Sequence, residues 1–175
     1  RLIDNVLELS RLEKGSRAVH LTVGPLAGVV DEVVRVLQPH ARNQGFELEV
    51  VVQEGLPSVA FERDALQQVL INLVDNALKF SRAASEKVIT LACERDGEDV
   101  VIRVRDRGPG VPARQVGRVF QPFYRGEREL TRATKGTGIG LALVKGLVEG
   151  MGGRVVARNH PGGGFEVRIA LRPAA

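Results

Sequence analysis

Tryptophan is absent from the 175 residues, and tyrosine, methionine and cysteine occur once each, the cysteine at position 93. A lone Cys93 cannot close a disulfide within the chain, which excludes a disulfide-stapled scaffold and fits a reducing compartment. With one tyrosine and no tryptophan, platforms on which nucleic-acid bases stack are scarce. No run approaches the roughly 18 uninterrupted apolar residues of a membrane-spanning helix, and no signal peptide opens the chain. The expectation is a soluble piece. Because it begins at Arg1 rather than at methionine, it is also expected to be a fragment of something longer.

A net excess of one sign of charge is also lacking over most of the chain. Between Arg107 and Lys135 stand seven basic residues (Arg107, Arg114, Arg118, Arg125, Arg128, Arg132, Lys135) against Glu127 and Glu129, a surplus of five; with a net charge of +4 overall, the remainder carries −1. A polyanion track needs a basic face spread across the domain, whereas one basic segment on a near-neutral body suits a local anionic ligand. Nucleic acid is therefore not expected as a partner. The length suits one domain, able to bury roughly 70% of the surface of its unfolded chain.

Hydrophobic periodicity alternates along the chain. Leu2, Val6 and Leu9, with Ile3, Leu7 and Leu12 beside them, predict a helix from Arg1 to Lys14. A short strand HLTVG follows at 20–24, then a helix from Pro25 to about Asn43, strand-like FELEVVV and SVAFE, and a helix from about Arg63 to Phe80. KVITLACER and DVVIRVRDR alternate around the turn DGED, a hairpin signal. A long irregular stretch rich in Gly, Pro and Arg comes next, too long for a routine connection. A helix from about Thr137 to Met151 and the strands GRVVARN and GFEVRIAL around HPGGG complete the chain. The mixture predicts an α+β fold, a two-layer sandwich with helices on one face of a mixed sheet.

Four stretches carry candidate chemistry. In VLINLVDNALKFS, Gln68, Asn72, Asn76 and Lys79 are spaced three or four apart and share one helix face, while Leu66, Val69, Leu70, Leu73, Val74, Ala77 and Leu78 fill a wide apolar arc. The polar stripe faces something wet, charged or bound. DRGPG, Asp106 to Gly110, ends a strand with an acceptor-only carboxylate able to take the exocyclic amino group of adenine, followed by glycines that let the backbone approach a base; an ordinary strand-ending turn has the same composition. KGTGIGLALVKG leads Gly136, Gly138 and Gly140 into a helix N-terminus, where free amides and the dipole favour phosphate, although neither the dinucleotide spacing nor a P-loop ending is present. FQPFYRG, Phe120 to Gly126, has two aromatics able to anchor a polar lid and leaves Arg125 to reach a phosphate.

In this order and spacing the four stretches resemble the catalytic, ATP-binding domain of sensor histidine kinases of two-component systems. NLVDNALKFS is similar to that family's N box, DRGPG to its first glycine box, FQPFYR to its F box, GTGIGLAL to its second glycine box, and GGGF, Gly162 to Phe165, to its closing glycine turn. RLIDNVLELSRLEKG resembles the end of the second helix of the family's dimerisation and phosphoacceptor domain. The resemblance implies residues 1–16 as that helix end and 17–175 as the catalytic domain, with an ATP lid over about 108–137.

It further implies roles. Asn76 is the Mg²⁺ ligand through its amide oxygen, Asn72 and Lys79 face the phosphates, Asp106 reads adenine, Gly108 and Gly110 shape its pocket, and Arg125 meets the γ-phosphate. Phe80, Phe120, Tyr124, Lys135, Gly136, Thr137, Gly138, Ile139, Gly140 and Leu141 complete the implied nucleotide site, and Asn72, Lys79 and Arg125 are its catalytic members. The implied cofactors are ATP and Mg²⁺. The implied partners are a dimerisation and phosphoacceptor domain, a response regulator and a second copy of the parent chain, in the cytoplasm, where the resemblance allows the parent either an inner-membrane anchor or none. Arg107 departs from the family, which often has asparagine after the adenine-reading aspartate. None of His20, His40 and His160 stands in an acceptor motif like H-[ED]-L-[RK]-T-P. Gyrase, mismatch-repair and heat-shock ATPases, and usually anti-sigma-factor serine kinases, carry a glutamate four residues before the metal asparagine; Asn72 occupies that position here and cannot take a proton. A degenerate module that only docks partners is the remaining alternative, against which Asn76, Asp106, Gly138 and Gly140 argue.

Overall fold

The computed structural model describes residues 2–125 and 136–175. In chain order its elements are α1 (Leu2–Glu13), β1 (Thr22–Gly24), α2 (Ala27–Asn43), β2 (Glu47–Val52), β3 (Val59–Phe61), α3 (Arg63–Phe80), β4 (Val88–Asp96), β5 (Asp99–Arg105), a 3-10 turn at Ala113–Arg118, α4 (Gly140–Gly150), β6 (Arg154–Asn159) and β7 (Phe165–Leu171). Five strands form one sheet in the order β2-β4-β5-β7-β6, with β2 parallel to β4 and the other pairs antiparallel. The expected two-layer α+β arrangement with a mixed sheet is what forms.

Strand side chains alternate between faces, and here the alternation separates a dry face from a charged one. Ile89, Leu91 and Cys93 of β4, Val100, Ile102 and Val104 of β5, and Val167, Ile169 and Leu171 of β7 enter a single core with α2, α3 and α4. Burial pushes the Cys93 thiol up to about 12, so it stays protonated and inert. Leu66 and Leu70 of α3 are fully buried there, each burial being worth about 1.5–3 kcal/mol. The opposite face of the sheet carries ion pairs, among them Arg103 to Glu94 at 2.8 Å and Arg158 to the fully buried Glu166 at 2.9 Å.

DGED closes the β4–β5 hairpin as its composition predicts, with Asp96 paired to Asp99 and Gly97 at φ 63°. The strand-like HLTVG and SVAFE segments do not join the main sheet; β1 and β3 pair with each other as a separate two-stranded ribbon. α4 begins at Gly140, three residues later than its apolar pattern predicts, because Gly138 sits at φ 69°, outside helical conformation.

α1 lies against the start of α4. Leu9 packs with Ile139 and Ala142, and a Cβ added at Gly146 would meet the Leu12 side chain at 2.9 Å. Arg17, just beyond α1, reaches back to Glu8 and forks onto Glu62 with two bonds of 2.8 Å. Glu62 is the N-cap residue of α3, and the Arg17 guanidinium holds its carboxyl below the usual range. One arginine thus ties α1 to the start of the helix that bears the polar stripe. Among the described residues no helix is long and apolar enough to cross a membrane.

Candidate nucleotide site

The stripe on α3 sorts as helical spacing requires: Gln68, Asn72, Asn76 and Lys79 are half-buried, while Leu66, Val69, Leu70, Leu73, Val74, Ala77 and Leu78 are buried. Its Asn72, Asn76 and Lys79 form one wall of a cleft of about 620 Å³. Asp106 and the Pro109–Pro112 loop form another wall, and Gly136, Thr137, Gly138, Gly140 and Leu141 close the end. Leu73, Val104, Phe165 and Val167 make the floor apolar, the composition expected of a small-molecule pocket with a few convergent polar groups.

At the inner end of the cleft Asp106 is only 4% exposed. Its Oδ1 accepts from the amides of Gly108 at 2.8 Å and Phe165 at 3.1 Å, and its own amide donates to the Phe165 carbonyl at 3.0 Å. Burial raises its pKa above the ordinary value, against the lowering pull of those two amides. Both bonds fall on Oδ1, so Oδ2 carries none of that load.

At the outer end, Asn76 stands beside the first residue of α4: a Cβ on Gly140 would lie 3.7 Å from its Nδ2 and 3.8 Å from its Oδ1. One turn earlier on α3, Asn72 holds its Nδ2 buried without a hydrogen-bond partner. Buried donors are nearly always paired in folded proteins, so this orphan calls for an acceptor. Lys79, one turn later, lies 4.6 Å over the Phe80 ring. The Gly138 carbonyl accepts from the Phe123 amide at 2.9 Å, and a Cβ on Gly138 would lie 2.8 Å from the Phe123 carbonyl carbon. Phe123 itself has φ 61°, the one described non-glycine residue with positive φ. The FQPFYR and GTGIG segments therefore touch backbone to backbone.

Of the residues singled out by motif, Asn72, Asn76, Lys79, Phe80, Asp106, Gly110, Tyr124, Gly136, Thr137, Gly138, Gly140 and Leu141 line the cleft. Four do not. Gly108 lies behind Asp106, where a Cβ would meet the Phe80 carbonyl at 2.9 Å. Phe120 packs against the main core. Ile139 is 1% exposed in the cluster with Leu9 and Ala142, so it braces α1 instead of facing the cleft. Arg125 follows Tyr124 outside the lining, with its Nε buried. Lys135 lies outside the described residues. Conversely, Asn5 and Gln115 line the cleft without any motif to announce them; Asn5 accepts from Gln68 Nε2 at 3.5 Å, across from α1 to α3.

The closing turn GGGF has a stringent requirement. A Cβ on Gly164, at φ 87°, would fall 1.9 Å from the Asp106 carbonyl oxygen, whereas Gly163, at φ 90°, has nothing within 4 Å. Gly164→Ala is expected to cost about 3 kcal/mol of stability and to abolish nucleotide binding, since positive-φ strain adds to overpacking against fixed backbone. Gly163→Ala should cost about 1 kcal/mol, from φ strain alone. Denaturant midpoints of the two variants test the difference, and equal losses would show that the close approach to Asp106 is not what the glycine serves.

Residues 61–175 match the model of the histidine kinase-, DNA gyrase B-, and HSP90-like ATPase family. The chain belongs to that family. Relatives of this chain include proteins named as histidine kinases and sensor proteins. It is 31% identical to the signal transduction histidine-protein kinase BarA of Escherichia coli over 98% of this chain and 20% of that protein. It is 31% identical to the alginate biosynthesis sensor protein KinB of Pseudomonas aeruginosa over 97% of this chain and 28% of that protein. The chain thus spans 20% to 28% of the length of the curated relatives quoted. The crystal structure of full-length ShkA in complex with AMPPNP superposes with a TM-score of 0.79 at 32% identity, over 99% of this chain and 36% of that one. The catalytic domain of histidine kinase ThkA shares the fold, with a TM-score of 0.72 at 24% identity over 87% of this chain and 95% of that one. The chain is accordingly an ATPase-family catalytic domain of the sensor histidine kinase type.

Proposed function

We propose that this domain binds Mg²⁺-ATP in the cleft and donates the γ-phosphoryl group to a histidine on a dimerisation and phosphoacceptor domain, for onward transfer to a response-regulator aspartate. The observation that carries the reading is Asn72, whose buried Nδ2 has no partner in the protein. A phosphate oxygen supplies the acceptor it lacks. The same residue stands where a hydrolase of this fold needs a carboxylate base, and an amide takes no proton, which favours transfer over hydrolysis.

The other residues divide the work along the cleft. Asp106 accepts the adenine amino group, held from behind by the Gly108 amide, with Gly110 admitting the base and Phe80, Tyr124 and Leu141 around it. The backbone of Gly136, Thr137, Gly138 and Gly140, at the start of α4, meets the phosphates with free amides and the positive end of the helix dipole. Asn76 offers an amide oxygen, a hard donor, to the cation. Among the described residues no three His, Cys, Asp or Glu side chains gather to hold a metal; the triphosphate and water would supply the oxygens that complete the shell around Asn76. When bound, Mg²⁺ neutralises charge on the phosphates. Lys79 from the wall and Arg125 from the segment beside it stabilise charge on the moving phosphoryl, whose bond to the ADP oxygen breaks as a bond to the acceptor imidazole nitrogen forms. The parent is proposed as a cytoplasmic-facing homodimer, with α1 as the end of its dimerisation helix.

Incubated alone with labelled ATP, the chain should hydrolyse it very slowly and acquire no acid-labile label. Supplied in trans with a dimerisation domain bearing the acceptor histidine, it should phosphorylate that domain, because neutral imidazole is a competent nucleophile that needs chiefly positioning. Lys79→Ala and Arg125→Ala should slow transfer more than they weaken ATP binding. Rapid hydrolysis by the chain alone, or label on His20, His40 or His160, would overturn the proposal.

A further inference from the structure

β6 ends at Asn159, and its side chain turns out of the sheet to take both backbone groups of a single residue in the loop after β5. Asn159 Oδ1 accepts from the Val111 amide at 2.8 Å, and its Nδ2 donates to the Val111 carbonyl at 2.6 Å. The preceding residue, Gly110, has φ 71°, and a Cβ there would lie 2.5 Å from Asn159 Oδ1. The glycine therefore serves this contact as well as the turn.

Asn159 is the ladder partner of Phe165, whose amide bonds Asp106 Oδ1. The β6–β7 turn is in turn held by Arg105, which donates to the Gly162 carbonyl at 3.1 Å and the Gly163 carbonyl at 2.9 Å. One end of the hairpin thus grips the chain leaving β5 at two points, at Asp106 through Phe165 and at Val111 through Asn159. Gly110 and Val111 both line the cleft, as does Asp106. Only a side-chain amide has a donor and an acceptor spaced for both Val111 groups; a carboxylate would set an oxygen against the Val111 carbonyl.

We propose that Asn159 is a positioning residue for the nucleotide: it fixes the first residues of the loop opposite α3, and with them the width of the cleft between that loop and α3. This rests on the ATP reading given above. The bonds are exposed to solvent, so their loss leaves the fold intact and instead lowers the share of molecules whose loop stands in the binding-competent position. Apparent affinity falls by that same fraction.

The test uses Mg²⁺-AMPPNP as the probe and compares the wild-type chain with Asn159→Ala and Asn159→Asp. Both variants should bind about five- to tenfold more weakly. Amide hydrogen exchange should quicken over residues 108–116 while β4 and β5 keep wild-type protection, and melting should shift by no more than about 4 °C. The Asp variant, which retains an acceptor for the Val111 amide but repels its carbonyl, should be no better than the Ala variant. Wild-type affinity in both variants would overturn the proposal, as would weakened binding accompanied by faster exchange across the central sheet, which marks a merely structural residue. A wild-type chain that binds no AMPPNP would instead overturn the ATP reading, and this inference with it.

Discussion

Asp106→Asn is expected to weaken ATP binding by about 1–3 kcal/mol, some five- to 150-fold, and to erase preference for ATP over GTP. The wild-type carboxylate spends Oδ1 on the amides of Gly108 and Phe165, which leaves Oδ2 to accept from the amino group of adenine. Guanine presents an oxygen at that position and is repelled. Asparagine keeps an acceptor for the two amides but places an NH₂ where Oδ2 stood, facing a donor in adenine and an acceptor in guanine. The variant should not be less stable, and this separates a binding residue from a structural one. Burial raises the Asp106 pKa above its ordinary value of 3.8. The stabilisation linked to a raised carboxyl pKa is fully present below the unfolded value and is lost as pH rises through the folded one. At neutral pH the ionised group is therefore a cost to the fold, one that the neutral amide avoids. The same shift fixes the sign of the pH dependence. On acidification Asp106 takes up its proton at a higher pH than an ordinary carboxyl, so adenosine affinity should begin to fail there. Adenosine is the right probe because it has no phosphate to titrate. Parallel titrations with ATP and GTP that coincide for the wild-type chain would remove adenine recognition from Asp106.

What could be read ahead of the structure was whatever repeats locally. The stripe on α3 follows from spacings of three and four, and the β4–β5 hairpin from alternation around DGED. Both depend on neighbours within one element. The cleft's remaining features join distant segments, and such contacts leave no period. Asn5 reaches the cleft because α1 packs on α4 through Leu9 and Leu12, yet the apolar spacing in α1 says nothing of what its polar face meets. Asn159 ends an unremarkable strand, and its role depends on a loop 48 residues earlier. Ile139 sits between two cleft glycines in the chain, but a half-turn of backbone sends it into the core beside Leu9 and Ala142. Glycines at close approaches lie between these extremes. Gly138 and Gly164 stood out by composition, but only the backbone facing each, Phe123 in one case and Asp106 in the other, shows why no side chain fits.

Asn76→Ala should remove most of the Mg²⁺ dependence of ATP binding, lowering affinity for Mg²⁺-ATP about 10- to 100-fold toward that for ATP without metal. Adenosine affinity should hold within about twofold, because the groups proposed to meet adenine, Asp106 and Gly110 after β5 and Phe80 one turn beyond Asn76, line the cleft separately from Asn76. The argument rests on the junction of α3 with α4. Asn76 is half-buried there, within 4 Å of the space a side chain on Gly140 would occupy. Its amide is thus set between a helix N-terminus suited to phosphate and the neighbouring donor Asn72. Asn76 Oδ1 would hold a cation brought by the nucleotide, whereas the same oxygen facing phosphate alone would be repelled. Asn76→Asp separates the two demands: it keeps a hard oxygen for the metal but adds negative charge beside the triphosphate, so metal dependence should persist while overall affinity falls. Isothermal titration of ATP with and without Mg²⁺ against the wild type and both variants measures each arm. If Asn76→Ala leaves the metal dependence unchanged, the stripe on α3 is a polar surface and the cation is held by the nucleotide and other groups.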